Sequence, residues 1–212
     1  MTKKKNPSSK FWLRNYFQDI YVRKAHEKNF RSRAWFKIDE INKKFNVFRN
    51  CNTILDIGSS PGSWSEYAVN QVGCNKNIIA CDISFMKPIA GVKFIQGDVE
   101  NYKTYLSIVD NLKNKKVDLL MSDLSPKTTG HVLIDVHKSI YLSKIALNLS
   151  QKLLSKKGFF ITKVFQGGDS DLYFQCIKKN FFQVKVYKPC ASRSQSREIF
   201  FIAKNIKNNI IM

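Results

Sequence analysis

The sequence predicts an α/β fold built on a doubly wound, mostly parallel sheet of seven strands. Short apolar runs of strand length alternate with longer segments of helical periodicity, which is typical of parallel strands joined by crossover helices. Five of these runs end on one charged residue, and ligands of open α/β sheets bind outside the carboxyl ends of the strands. The five residues are Asp56, Asp82, Asp98, Asp123 and Lys163.

The apolar runs and the periodic segments also give the boundaries of the elements. Parallel strands are predicted at 53–57, 77–82, 92–96, 117–121 and 158–164. Helices are predicted near 63–72, 101–112, 135–154 and 170–180, the third with Asp135 as its N-cap. Two last strands, at 183–188 and 198–204, are expected to form an antiparallel edge.

Residues 1–50 precede this alternation and are predicted to form a basic helical extension. Aromatic and charged residues recur at helical spacing over 8–28, and a second helix is predicted over 34–45. No repeat or linker interrupts the sequence, so residues 1–212 are expected to form one domain with its α/β core at 51–204.

The charge balance predicts a polyanionic partner. The 212 residues include 36 Lys and Arg against 16 Asp and Glu, for a formal net charge of +20. An excess of this size favours nucleic acid. A membrane partner is not expected, because no basic helix has a clean apolar face and no apolar run is long enough to span a bilayer.

Cysteine and histidine usage bears on redox compartment and metal binding. The five cysteines include no C-x-x-C pair, and the three histidines do not have a metal-ligand spacing. We therefore expect ordinary buried thiols in a reducing compartment, without a disulfide framework or a bound metal. The N-terminus MTKKKNPSSK lacks the apolar stretch of a secretory signal, but its basic composition leaves an organelle-targeting segment open.

The segment DIGSSPG lies at the first strand-to-helix turn, where glycines allow the backbone to approach a ligand closely. Its G-x-x-x-G spacing differs from the G-x-G-x-x-G of dinucleotide-binding proteins. Asp82 can accept from both hydroxyls of a ribose, and Asp98 can accept from the exocyclic amine of adenine. Ribose and adenine without a diphosphate indicate S-adenosylmethionine. The alternative is that the two aspartates only cap helices.

Lys163 is an unusual residue for the end of an apolar strand, because a buried ammonium needs a partner. Asp123, at the end of a neighbouring strand, is predicted to be that partner. Lys37 in RSRAWFKIDEI and Glu198 at the start of EIFFIA also stand out by their context. A surface ion pair is the alternative role for these two residues.

Six segments carry a resemblance to a known family: RSRAWFKIDEI, DIGSSPGSWSEY, CDISFMKPIAGVKFIQGD, MSDLSPKTTG, ITKVFQG and KPCASRSQSREIFFIA. Together they resemble the FtsJ-type ribose 2′-O-methyltransferases and are most similar to the branch that acts on large-subunit ribosomal RNA. The resemblance covers about residues 10–204 and implies a Rossmann-like, class I S-adenosylmethionine-dependent methyltransferase fold. Departures are few: Ser59-Ser60 stands where the family often has alanines, and Lys127 replaces a neutral residue.

The resemblance also implies the residues of the site. Its Lys-Asp-Lys-Glu tetrad falls on Lys37, Asp123, Lys163 and Glu198, with Lys163 serving the attacking ribose hydroxyl. The sequence leaves open whether Lys163 is a general base or an orienting group. The predicted cofactor-binding residues are Asp56, Gly58, Pro61, Gly62, Trp64, Asp82, Ile83, Asp98, Val99 and Asp123.

The implied activity is methylation of a uridine 2′-hydroxyl in large-subunit ribosomal RNA, within the large subunit, by a monomeric enzyme in the cytoplasm or nucleolus. A mitochondrion, or another organelle with its own ribosomes, is the alternative location. Two other functions stay open: methylation of transfer RNA or of the messenger cap, and non-catalytic RNA binding by a ribosome-assembly factor. The predicted RNA contacts are Arg31, Arg33, Lys127, Arg193 and Arg197.

Overall fold

Seven strands form one sheet in the computed structural model, which describes residues 19–207. They are β1 (Thr53–Ile57), β2 (Asn77–Asp82), β3 (Val92–Gln96), β4 (Val117–Ser122), β5 (Leu154–Phe165), β6 (Phe181–Tyr187) and β7 (Glu198–Ile206). Their order across the sheet is β3-β2-β1-β4-β5-β7-β6. Strands β1 to β5 are parallel, and β7 runs antiparallel between β5 and β6. The predicted fold class, with its antiparallel edge, is confirmed.

The described helices are α1 (Ile20–Glu27), α2 (Ala34–Phe45), α3 (Ser63–Val72), α4 (Tyr102–Leu112), α5 (Val132–Leu153) and α6 (Ser170–Asn180). Polar side chains begin two of them, because they satisfy the free amides of a first turn. The Asp19 carboxylate accepts from the Tyr21 amide at 3.0 Å, and the Asn101 side chain accepts from the Lys103 amide at 2.9 Å. None of the described helices combines the length and apolar character needed to cross a bilayer.

The first of these helices is the described part of the helix predicted over 8–28. Residues 8–18 lie outside the described part of the chain, as do the basic residues that precede them.

Helices cover both faces of the sheet. Successive residues of a strand point to opposite sides, so the apolar strands have side chains to bury on each face. On one face, α2 and α3 bury Ile38 and Trp64 against Ile54. On the other face, α4 and its neighbours α5 and α6 bury residues such as Ile108 against Leu55. The carboxyl ends of the parallel strands therefore lie at an edge between two helical layers.

The starts of α5 and β5 differ from the sequence-based boundaries. The Asp135 carboxylate accepts from the Thr129 amide at 2.7 Å, the Thr129 hydroxyl at 2.9 Å and the Gly130 amide at 3.2 Å. The prediction of Asp135 as an N-cap was wrong, because this carboxylate binds the preceding loop rather than the helix amides. β5 begins directly after α5, because Leu154 pairs with Val117 before a shift of register.

Candidate active site

The five charged residues predicted at strand ends lie in one row along the carboxyl edge of the parallel strands. In sheet order they are Asp98, Asp82, Asp56, Asp123 and Lys163, from β3, β2, β1, β4 and β5. Asp82 ends its strand, and Asp98 and Asp123 follow theirs. Asp56 and Lys163 lie inside their strands and are buried. Four carboxylates and one ammonium thus face the edge at which such sheets bind ligands.

Two glycines shape the loop that follows β1. Gly58 has a φ of +72°, and a Cβ on it would lie 2.8 Å from the backbone nitrogen of Leu124. Gly62 has a φ of +107° and is the N-cap of α3. Because only glycine adopts such angles without cost, the loop can pass close to the segment after β4 and to a ligand.

Asp82 and Asp98 organise the loops beside this turn. The Asp82 carboxylate accepts from the Ser60 amide at 2.9 Å and from the Ser84 amide at 2.7 Å. The Asp98 carboxylate accepts from the Glu100 amide at 3.0 Å. Neither carboxylate caps a helix, since the described chain passes from β2 to β3 without one and the N-cap of α4 is Asn101. Both carboxylates keep oxygen lone pairs for a ligand.

A cavity of about 390 Å³ opens between these loops. Its walls combine carboxylates with the apolar side chains of Ile83, Val99, Leu124 and Leu142. This volume and this mixture of polar and apolar groups are typical of small-molecule sites. The predicted cofactor residues that line the cavity are Gly58, Asp82, Ile83, Asp98, Val99 and Asp123.

The other predicted cofactor residues lie behind or beside the cavity. Asp56 is fully buried, and its carboxylate accepts from the Ser65 hydroxyl at 2.6 Å. Trp64 is a core residue whose Nε1 donates to a backbone oxygen of α2 at 2.9 Å. Pro61 and Gly62 carry the loop into α3. A motif position alone does not show which of these side chains faces a ligand.

Leu124 and Leu142 also line the cavity and were not predicted from the sequence. Leu124 could have been predicted, because it directly follows Asp123. Leu142 comes from the middle of α5 and reaches the cavity only through the packing of that helix on the sheet. Nothing in the periodicity of α5 separates Leu142 from its other apolar positions.

Arg31, a predicted RNA contact, lies behind the loop that follows β1. Its guanidinium donates to the backbone oxygens of Pro61 at 3.1 Å, Lys87 at 2.8 Å and Pro88 at 2.8 Å. The carboxylate of Glu66 lies 3.8 Å from its Nε. Arg31 therefore ties the segment before α2 to two loops that flank the cavity.

The other predicted RNA contacts fall into two groups. The guanidinium of Arg33 bonds to the Asp19 carboxylate, and the Nε of Arg193 lies 3.5 Å from the same carboxylate. This cluster joins the start of α1 to the segment before β7. Lys127 lines the cavity, and Arg197 is exposed at the start of β7. Of the five predicted RNA contacts, only Lys127 and Arg197 lack a carboxylate partner among the described residues.

Two ion pairs contain the four residues of the predicted tetrad. The Nζ of Lys163 lies 3.0 Å from Asp123 Oδ1 and donates to the backbone oxygen of Asp123 at 2.9 Å. The Nζ of Lys37 lies 2.7 Å and 2.8 Å from the two carboxylate oxygens of Glu198. Lys163 is only 5% exposed, so its ammonium depends on these partners rather than on water.

Strand register brings the two pairs to the same face of the sheet. Lys163 of β5 lies opposite Phe200 of β7, and Phe165 lies opposite Glu198. Opposed residues of an antiparallel pair share a face, and so do alternate residues of one strand. Lys37 reaches this face from α2, with its Nζ 5.8 Å from the centre of the Phe200 ring. The tetrad therefore lies beside the cavity. Asp123, which follows β4, belongs to both.

The carboxyl group of Asp56, behind the cavity, has a raised pKa. Burial raises its pKa from 3.8 to about 7; the hydrogen bond from Ser65 opposes this, and the negative charges of Asp123 and Asp82 add to it. Its second oxygen, Oδ1, has no hydrogen-bond partner among the described residues. The protonation of this carboxyl group therefore changes near neutral pH.

The arrangement joins a small-molecule cavity to two lysines held by carboxylates, and Asp123 belongs to both parts. A lysine ammonium has three N–H donors. Lys163 donates one of them to the backbone oxygen of Asp123, and its Nζ forms an ion pair with Asp123 Oδ1 without a hydrogen bond to it. An N–H therefore remains to orient a hydroxyl at the edge of the cavity. Across residues 19–207, no group of three or more His, Cys, Asp and Glu side chains is placed to hold a metal ion.

Comparison with known proteins gives one family match and two similar solved structures. The family model described as FtsJ-like methyltransferase matches residues 30–206. A Plasmodium falciparum crystal structure, assigned as a ribosomal RNA methyltransferase, is similar at 29% identity and a TM-score of 0.77, over 84% of this chain and 98% of that chain. A Clostridium thermocellum structure, assigned as an rRNA methylase, shares the fold at 18% identity and a TM-score of 0.53, over 79% and 96% of the two chains.

Proposed function

This chain belongs to the FtsJ-like methyltransferase family, and we propose that it methylates a ribose 2′-hydroxyl of large-subunit ribosomal RNA with S-adenosylmethionine as the methyl donor. The observation that carries the proposal is the position of Asp123, which lines the cavity and binds Lys163. A net charge of +20 supports an RNA substrate, as does the name of the similar protein from Plasmodium falciparum.

The cavity residues fit S-adenosylmethionine. Asp82 and Asp98 offer acceptor oxygens for ribose hydroxyls and for the adenine amine. Ile83, Val99 and Leu142 offer apolar surface for a flat ring. Four carboxylates and one lysine line the cavity among the described residues, and this balance disfavours a diphosphate. When bound, the cofactor supplies a methyl carbon on a positively charged sulfur, which leaves with the electron pair of the broken bond.

Lys163 is the residue that we assign to the attacking hydroxyl. Its free N–H aims the ribose oxygen, while Asp123 holds the ammonium in place from the cavity wall. Lys37, fixed by both oxygens of Glu198, adds a second positive charge on the same face. The charge of Lys37 favours loss of the hydroxyl proton, because it stabilises the oxygen's negative charge.

The hydroxyl proton leaves late in the displacement, and Lys163 accepts it. An ammonium has no lone pair, so Lys163 first releases one proton to solvent and then accepts the hydroxyl proton as the amine.

The test of the proposed function is methyl transfer from labelled cofactor to purified large ribosomal subunits, transfer RNA and capped messenger RNA in parallel. We expect incorporation into the large subunit. Incorporation into transfer RNA alone would contradict the substrate. Tight RNA binding without transfer to any of the three would indicate a binding factor in place of an enzyme.

A further inference from the structure

A second cationic surface lies at the sheet edge opposite the candidate active site. A groove of about 1310 Å³, larger than the cofactor cavity of about 390 Å³, opens where β1, β4 and β5 begin and β7 ends. Asparagine and phenylalanine side chains form part of its wall. The cations that line it are Arg49, Lys156, Lys157, Lys204 and Lys207.

Neighbouring acids do not neutralise this charge. Asp118 is the single acid among the described lining residues, and its carboxylate accepts from the amides of Asn52 at 2.9 Å and Thr53 at 3.1 Å. Within the described chain, none of the five cations has a carboxylate oxygen within 4.0 Å. Because no carboxylate neutralises these cations, they produce a positive electrostatic potential around the groove, which favours binding of a polyanion.

Aromatic rings lie between these cations. The Nζ of Lys204 is 4.6 Å from the centre of the Phe159 ring, and the Nζ of Lys207 is 5.5 Å from that of Phe182. Phe182 is 72% exposed, although it is a large apolar side chain. An exposed ring beside lysines suits a single strand of RNA, because a base can stack on the ring while the phosphates meet the cations.

The groove is well separated from the methyl-transfer site. Lys157 and Lys163 are six residues apart in β5. At about 3.3 Å per residue this corresponds to about 20 Å along the strand. The edge that carries Lys163 has four carboxylates around its cavity, so phosphates are held more readily at the opposite edge.

We propose that this groove is a second RNA-binding surface, which holds a single-stranded segment of the substrate away from the methylated ribose. The inference rests on the proposed RNA substrate and adds a contact that the catalytic site does not supply. An adjoining cleft with Lys178 and Lys185 shares Phe182 and Lys207 with the groove and extends it over β6. Contacts of this kind position the phosphate backbone and do not read sequence.

Charge reversal and ring removal test the two parts of the groove separately. The variants are K156E/K157E for the charge and Phe182→Ala for the ring. A matched control, K103E/K144E, makes the same change of charge at exposed lysines of α4 and α5. The probes are oligouridylate and the large-subunit RNA, and the readout is Kd as a function of salt concentration.

We expect K156E/K157E to raise Kd about tenfold relative to the control and to flatten its dependence on salt, because phosphate contacts are lost. Phe182→Ala is expected to raise Kd about tenfold for oligouridylate without changing the salt dependence, because stacking is lost. Equal Kd values for groove and control variants would overturn the inference. Binding of polyglutamate or phosphatidylserine vesicles in place of RNA would overturn it as well.

Methyl transfer separates this inference from the proposed function. Groove variants are expected to keep kcat at saturating RNA and to raise KM. If the wild type methylates RNA and groove variants have the KM of the control, the groove inference fails alone. If groove variants weaken RNA binding but the wild type transfers no methyl group to RNA, the proposed function fails alone.

Discussion

Lys163 and Glu198 lie on adjacent antiparallel strands, two positions apart in register, and their side chains leave the same face of the sheet. Each holds an oppositely charged partner from another element: Lys163 lies 3.0 Å from Asp123, and Glu198 lies 2.7 Å from Lys37. The sheet itself therefore sets the spacing between the two ion pairs. Charged groups fixed on strands can aim a reacting oxygen without first being ordered by the substrate.

Replacing Lys163 by Ala is expected to reduce kcat by about 10²–10⁴-fold, because both the orienting donor and the proton acceptor are lost. The Kd for S-adenosylmethionine is expected to change little, since Lys163 does not line the cavity. Single-turnover methyl transfer and calorimetric cofactor binding measure the two quantities. Lys144→Ala on α5 is the control, and a Lys163→Ala enzyme with substantial activity would contradict the assignment.

Asp123→Asn is expected to damage both cofactor binding and chemistry, because this residue belongs to the cavity and to the tetrad. Loss of a charge-assisted contact in each role corresponds to about a tenfold or larger effect on cofactor Kd and on kcat. Asp98→Asn is the matched comparison, because Asp98 lines the cavity but is not part of the tetrad. This variant should raise the cofactor Kd without lowering kcat. Equal behaviour of the two variants would show that Asp123 does not connect the sites.

Arg31→Ala is expected to weaken cofactor binding about tenfold and to leave the Kd for RNA unchanged. Its guanidinium holds three backbone oxygens of the loops beside the cavity, and an ammonium cannot reproduce this planar arrangement of donors. Arg31→Lys should therefore be nearly as defective as Arg31→Ala. Arg23→Ala, on the exposed side of α1, is the control. A loss of RNA affinity with normal cofactor binding would contradict this and would support the sequence-based prediction that Arg31 contacts RNA.

Asp56 should make the stability of the protein depend on pH. Its pKa is about 7 in the folded protein against an ordinary value of 3.8, so the folded state holds this proton more tightly than the unfolded state. The contribution of Asp56 to the free energy of unfolding therefore falls as pH rises from about 4 to about 7 and is constant above.

The variant Asp56→Asn keeps an acceptor for Ser65 and removes the titration. Its stability relative to the wild type is expected to increase as pH rises from about 4 to about 7 and to stay constant above, as measured by urea midpoints. Asp110→Asn, at an exposed position of α4, is the control and should show no such trend. A stability difference between Asp56→Asn and wild type that does not vary with pH would contradict the raised pKa.

The parts of the site that follow from strand order were predictable from sequence. Asp82, Asp98 and Asp123 end or follow hydrophobic strands, and parallel strands bring such ends to one edge. The contact between Lys163 and Asp123 was predictable for a second reason, because a buried ammonium requires a nearby carboxylate.

Other features depend on contacts between residues distant in sequence, which no local pattern records. Arg31 reads as one more cation in a basic stretch, yet it binds loops 30 and more residues away. Asp135 has the position of a helix cap but binds the loop before its helix. The groove around Lys157 and Lys204 assembles from strands that meet only in the folded sheet.

The most direct test of the proposed ribose methylation is the chemical position of the transferred methyl group. Large subunits labelled by the enzyme are digested with alkali, which cleaves RNA through a free 2′-hydroxyl and cannot cleave next to a methylated one. We expect the label to be recovered in alkali-resistant dinucleotides and expect Lys163→Ala to yield none. Label recovered in mononucleotides would place the methyl group on a base and contradict the proposed ribose chemistry.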